Sequence, residues 1–244
     1  MAILLEKNTT ILVQGITGRE GSVRAAFMKG YGTKVVAGVT PGRGGEEVSG
    51  IPVFNTVEEA VKAKGPVDAS VTFVPGPGLK EAVLEALDAG IKFIVMPVER
   101  VPLYDILEMM AYGKQKGARL LGPGSIGIIS PGIAAAGWLG GTPEFAKRVF
   151  VPGPVGVISR SGGQSGTVPW AIQQAGLGVT TVLHIGTEPA PCSQAVAVKM
   201  SVGTKNPGIF PGIIGWPVKV SAYIKSRDTF KIYIFDRIPV FHSF

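Results

Sequence analysis

Short runs of apolar residues alternate with stretches of helical spacing through the first half of the chain. Thr10-Ile11-Leu12-Val13-Gln14 reads as a buried strand, and Val23, Ala26, Phe27 and Met28 then recur at helical intervals until Gly30 and Gly32. Lys34 to Val39 and Ile51 to Phe54 read as further strands. Thr56 and Glu59 form a capping box for a helix opening at Val57. The alternation continues with strand Ala69 to Val74, helix Leu79 to Asp88, strand Ile91 to Met96, helix Leu103 to Lys116 and strand Ala118 to Leu121. Strands alternating with helices of this length predict a parallel sheet with right-handed crossovers. Ligands of such sheets sit beyond the carboxyl ends of the strands, where each Gly- or Pro-rich loop of this region falls.

From Gly122 to Pro154 the pattern predicts linker loops, with Pro152-Gly153-Pro154 as a boundary. A second α/β unit follows: strand Val155 to Ile158, turn Ser159 to Gly166, helix Val168 to Ala175, strand Val179 to Ile185. The domains expected are therefore 1–124, a Rossmann-like α/β unit, and 155–244, joined by 125–154. After Met200 Gly, Pro, aromatic and basic residues mix, and no element is assigned there.

Charge sharpens this division. Residues 1–198 carry 17 basic against 15 acidic side chains, and residues 199–244 carry 7 against 2. The net charge of +7 thus comes mostly from the last stretch. A nucleic-acid surface needs a basic face interleaved with stacking aromatics on a folded motif, and none is present, so no nucleic-acid partner is expected. No run of 18 apolar residues suggests a membrane span. The single Cys192 forms no internal disulfide, and in its Pro-Cys-Ser setting it is expected to be inert. A reducing cytoplasm or organelle matrix is the expected compartment.

Three loops carry candidate chemistry. Gly15-Ile16-Thr17-Gly18-Arg19-Glu20-Gly21, between a strand and a helix, suits a phosphate, because glycines let the main chain approach and free amides meet negative charge. Its spacing differs from the dinucleotide fingerprint, and Gly38-Val39-Thr40 stands where an acidic ribose ligand belongs, which disfavours an NAD-dependent dehydrogenase. Arg43, between Gly42 and Gly44, is either a phosphate partner or a solvated loop charge. Glu99 either accepts from a ligand or pairs with Arg100. Ser159-Arg160-Ser161-Gly162-Gly163 is either a second anion-holding turn or an ordinary strand–helix loop. No metal-ligand spacing exists. Of the two histidines, His242 is expected to be exposed near the terminus, and His184 reads first as a satisfied structural residue.

Gln14-Gly15-Ile16-Thr17-Gly18, Tyr31-Gly32-Thr33-Lys34, Gly38-Val39-Thr40-Pro41-Gly42, Pro52-Val53-Phe54-Asn55-Thr56 and Ser159-Arg160-Ser161-Gly162 together resemble the α subunit of succinyl-CoA synthetase, from Met1 to about Pro189. Gly122-Pro123 and the Ser-Arg-Ser-Gly-Gly run are also similar to ATP-citrate lyase and citryl-CoA synthetases. The resemblance implies a CoA-binding Rossmann domain followed by a flavodoxin-like ligase domain, here partial. It also implies a partner β subunit of ATP-grasp type that holds ATP or GTP with Mg2+, and a small carboxylic acid substrate. Thr17, Gly18, Arg19 and Glu20 would line the CoA phosphates. Arg43 stands where the family has Lys, and Pro97, Val98 and Glu99 where it has Ile-Thr-Glu. Ser159, Ser161, Gly162 and Gly163 would form the substrate or phosphate loop.

The Gly-His-Ala-Gly segment that carries the family's phosphohistidine is absent from this sequence, as is its Gly-Glu-Ile-Gly-Gly segment. Together with the lost periodicity and the basic charge, this predicts a chain truncated or altered after about residue 200. Two functions follow as expectations: a ligase α subunit, or a non-catalytic CoA-binding module. A substitute role for His184 as the phosphorylated histidine is a third.

Overall fold

The computed structural model describes residues 4–187 and the strands 218–225 and 229–236. Two sheets organise it. The first runs β1 (Thr10–Gln14), α1 (Arg19–Tyr31), β2 (Lys34–Val39), β3 (Glu47–Val48), β4 (Ile51–Phe54), α2 (Val57–Lys64), β5 (Ala69–Thr72), a 3-10 turn at Gly76–Gly78, α3 (Leu79–Asp88), β6 (Phe93–Val95), α4 (Leu103–Gln115) and β7 (Arg119–Leu121). Its strand order is β3-β4-β2-β1-β5-β6-β7, parallel except for the β3–β4 hairpin.

Both faces of this sheet are covered, so its strands are apolar on successive residues. In β1, Ile11 and Val13 join one core while Leu12 joins the other. The second core packs beneath α2, α3 and α4, where Val57, Val83 and Ile106 are buried. The capping reading at α2 holds: Thr56 Oγ1 accepts from Glu59 N at 3.1 Å, and Glu59 returns a carboxylate oxygen to Asn55 N at 3.0 Å. Thr56→Ala is expected to cost about 1 kcal/mol, read as a lower urea midpoint at unchanged slope.

Residues 125–154, expected as linker loops, form β8 (Gly127–Ser130), β9 (Ala134–Gly137) and α5 (Pro143–Val149). These two strands form an antiparallel pair buried at every residue, so no apolar–polar alternation marks them in the sequence. Pro152-Gly153-Pro154 is likewise no boundary but the irregular start of β10 (Pro152–Ser159). The register shifts between Pro152 and Val155, because proline supplies no amide to the ladder. After β10 come α6 (Gln164–Gln174), β11 (Val179–His184), β12 (Val218–Lys225) and β13 (Thr229–Asp236).

The second sheet has the order β12-β13-β10-β11-β8-β9, with β13, β10 and β11 parallel and both flanks antiparallel. The partly flavodoxin-like unit expected beyond the boundary corresponds to that parallel centre. The unassigned stretch after Met200 contributes two strands to it. Helix α1 is shared between the sheets. It packs on β1 and β2 from one side and on β9 and α5 from the other, and its buried Ala25, Phe27 and Met28 belong to a core that also holds Ile128, Val157 and Leu183. Thr33 fastens the junction, its hydroxyl donating to Ala135 O and accepting from Ala135 N, both at 2.9 Å. Among the described residues no helix is long and apolar enough to cross a membrane.

Candidate functional site

In the first sheet the chain runs from β1 outward through β2 and β4, then returns to the other side of β1 with β5. Crevices for ligands open at such reversals, at the carboxyl ends of the two central strands. The β1–α1 turn lies there. Gly15 donates its amide to Val39 O at 2.7 Å and has φ of +74°, where a Cβ would sit 2.3 Å from Phe73 O. A side chain at Gly15 is thus excluded by conformation and by the neighbouring strand end. At Gly21 a Cβ would meet Gly15 O at 2.1 Å, so the turn and the first turn of α1 touch main chain to main chain.

The start of α1 leaves several amides without intrahelical partners. The helical ladder starts with Ser22 N donating to Gly18 O at 2.9 Å, so the amides of Arg19, Glu20 and Gly21 have no intrahelical acceptor. Gly18 is the N-cap and offers no side-chain cap. Thr17 N points to Thr40 Oγ1 at 3.4 Å, and that hydroxyl donates to Val39 O at 2.8 Å. The helix dipole adds positive potential at the same point. Gly18, Arg19 and Glu20 are exposed there, beside the loop after β2, an arrangement chemically suited to an anion.

The side chains near it are less available than the sequence suggested. Glu20 is ion-paired with Arg24, whose Nη2 is 3.1 Å from the carboxylate and whose guanidinium stacks 4.7 Å from the centre of Trp138. The amide of Glu20, and not its carboxylate, is therefore the group suited to an anion. Arg43 is engaged in a two-point contact with Glu46, from Nε and from Nη2. That contact raises the Arg43 pKa and lowers that of Glu46. Both are exposed loop groups, so a doubly charged phosphate can displace the carboxylate at small cost.

Pro97 is buried, Val98 half-buried and Glu99 exposed in the segment after β6. Gly124 N donates to Val98 O at 2.8 Å. Glu99 accepts from Thr187 Oγ1 at 3.3 Å, and Thr187 O accepts from Arg160 Nη2 at 2.7 Å. Loops from the carboxyl ends of both sheets are thereby joined. Nothing in the sequence spacing marks Thr187 and Thr40 for these contacts, because their partners lie 88 and 23 residues away.

The loop after β10 is stitched to itself. Ser159 is fully buried, donating its hydroxyl to Ser161 O at 2.9 Å and accepting from Ser161 N at 3.0 Å. Ser165 Oγ also donates to Ser161 O, at 2.9 Å. Ser159 therefore shapes the loop, while Gly162 and Gly163 are its exposed residues. Gly163 caps α6 without a side-chain bond.

His184 ends β11 and is 1 % exposed. Nδ1 accepts from Ile126 N at 3.1 Å, so the remaining ring proton is on Nε2, which donates to Arg160 O at 2.9 Å. Burial lowers its pKa to about 4, partly offset by the bond to Arg160 O. The ring is neutral, and its one unprotonated nitrogen is occupied. In this arrangement neither ring nitrogen is open to accept a phosphoryl group, which weighs against that expectation and favours the structural reading. Cys192 and His242 lie outside the described residues. Among the described residues no group of His, Cys, Asp and Glu is placed to hold a metal.

Residues 6–99 match the CoA binding domain family. Over 191 residues the chain is 46 % identical to the succinate–CoA ligase [ADP-forming] α subunit of Aquifex aeolicus, covering 78 % of this chain and 60 % of that one. With the malate–CoA ligase α subunit of Methylorubrum extorquens the identity is 42 % over 193 residues, 78 % of this chain and 63 % of the other. The ATP citrate lyase of Methanothrix soehngenii, solved with citrate and coenzyme A, superposes with a TM-score of 0.66 at 24 % identity, over 75 % of this chain and 32 % of that one. At that identity the likeness concerns the fold. The chain spans about 60 % of the length of the curated relatives it matches.

Proposed function

From a chain related over some 190 residues to the α subunits of ADP-forming CoA ligases, we propose that this protein binds CoA by its diphosphate at the β1–α1 turn and serves as the α subunit of an acid–CoA ligase. The observation that carries this reading is the uncapped Gly18 with the three acceptorless amides that follow it. CoA supplies the thiol on which an acyl group is loaded. Arg19 and Glu20, with Gly21, hold the diphosphate through their main-chain amides, Thr17 and Gly18 line it as the turn beside them, and Arg43 exchanges Glu46 for phosphate. Pro97, Val98 and Glu99 border the next part of the ligand. Ser159, Ser161, Gly162 and Gly163 form the loop at which the acid or phosphoryl group is held.

The whole reaction needs a β subunit of ATP-grasp type, with ATP or GTP and Mg2+, and a small carboxylic acid. The relatives named act on succinate or malate. A second reading, a non-catalytic CoA-binding module, is favoured by one observation: the only histidine among the described residues is buried and bonded at both nitrogens.

Calorimetry with CoA is expected to show one site per chain, with an affinity that falls as salt rises from low to physiological strength. No saturable heat overturns the CoA reading. Adding the Aquifex aeolicus β subunit, Mg2+-ATP and succinate or malate then separates the two functions. Thioester formation supports the ligase, whereas tight CoA binding without thioester supports the module.

A further inference from the structure

At the opposite end of the first sheet from the CoA turn, a cleft of about 490 Å³ opens between β2 and the segment joining β8 to β9. Lys7, Lys34 and Lys147 line it together with Asn8, and among the described residues that line it none is acidic. Tyr31, Ile133 and Phe150 supply apolar surface. Lys34 Nζ donates to Asn8 Oδ1 at 2.9 Å and Lys147 Nζ to Gly30 O at 2.9 Å, and among the described residues neither ammonium is paired with a carboxylate.

Tyr31 is the second observation. It is 6 % exposed, and its phenolic oxygen accepts from Gly132 N at 3.3 Å, which leaves the hydroxyl proton for an acceptor in the cleft. Three ammonium groups, an inward hydroxyl and an apolar wall suit a small organic ligand bearing two or three anionic groups.

We propose that this cleft, formed by Lys7, Lys34, Lys147 and Tyr31, is a binding site for a small polyanion, separate from the CoA turn. Carboxylates and phosphoryl groups share the chemistry it recognises. The site does not depend on the CoA reading, since its residues lie at the other strand ends.

The test uses the full chain, with citrate and pyrophosphate as probes in calorimetry and in amide chemical-shift mapping, without CoA. Saturable shifts at Gly32 and Gly132 are expected with each probe, distinct from any that pyrophosphate causes at Arg19, Glu20 and Gly21 by entering the β1–α1 turn. The Lys7→Gln/Lys34→Gln double variant is expected to weaken it at least tenfold, and Tyr31→Phe several-fold. The tighter probe tells carboxylate from phosphoryl preference. A Lys62→Gln/Lys64→Gln variant on α2 is expected to bind as the parent does. Three results overturn the proposal: no saturation by either probe, equal weakening in the α2 variant, or shifts confined to Arg19, Glu20 and Gly21 that survive in the double variant.

Discussion

Gly18→Asp is expected to leave the fold intact and to weaken CoA binding by about 100-fold, equivalent to ~2.7 kcal/mol. Gly18 has φ of −68° and ψ of 159°, a conformation open to any L-residue. An added Cβ would lie 3.3 Å from Gly15 O, a contact relieved by a shift of a few tenths of an ångström. Aspartate is a preferred N-cap, so its carboxylate would take amides of α1 that now lack an intrahelical acceptor. It would also bring negative charge to the point where the diphosphate belongs. Helix stability should therefore hold or rise slightly while the ligand is excluded. Paired measurement of the urea midpoint and of CoA affinity checks this. A variant that stays folded and binds CoA as tightly as the parent would show that the diphosphate is held elsewhere.

Acidification is expected to destabilise the chain through His184. The unfolded imidazole takes up a proton near its ordinary pKa of 6.5, whereas burial delays protonation in the folded state to about pH 4. Between these values the unfolded chain binds more protons, so stability falls as pH drops, by about 1.4 kcal/mol per pH unit and about 3 kcal/mol in all. Above pH 6.5 this contribution is fully present; below about pH 4 it is gone. Urea titrations across that window measure the slope. His184→Asn keeps an acceptor for the Ile126 amide but loses the donor to Arg160 O. It is expected to cost about 1–3 kcal/mol at neutral pH and to flatten this part of the acid dependence. An unchanged slope in that variant would mean that other groups carry the acid sensitivity.

The two predictions draw on different kinds of information. The β1–α1 turn was readable from the chain because everything that makes it is local: a β-rich run, glycines at Gly15, Gly18 and Gly21, then helical spacing. Main-chain amides form this site, and main-chain geometry follows glycine placement within a few residues. The α2 cap was readable for the same reason, since Thr56 and Glu59 are three residues apart. The structural role of His184 was inferred from a buried-looking strand end, although its partners Ile126 and Arg160 could not be.

Where charge or pairing is decided by distant residues, the chain was silent. The family resemblance put Glu20 at an anion site and loop position left Arg43 as either a phosphate partner or a solvated charge, whereas their side chains are already committed to Arg24 and Glu46. Nothing local reveals that Glu99 meets Thr187, or that Lys7, Lys34 and Lys147 surround one cleft. Strands β8 and β9 escaped notice because both faces are buried and periodicity vanishes with that burial. Glycine spacing and apolar rhythm thus specify the Rossmann-like unit and its glycine turn, through steric limits acting over a few residues. Tertiary packing alone decides that α1 serves two cores, that His184 is held neutral and bonded, and which cations remain without a carboxylate, because burial and charge pairing are set by residues brought together only when the sheets close.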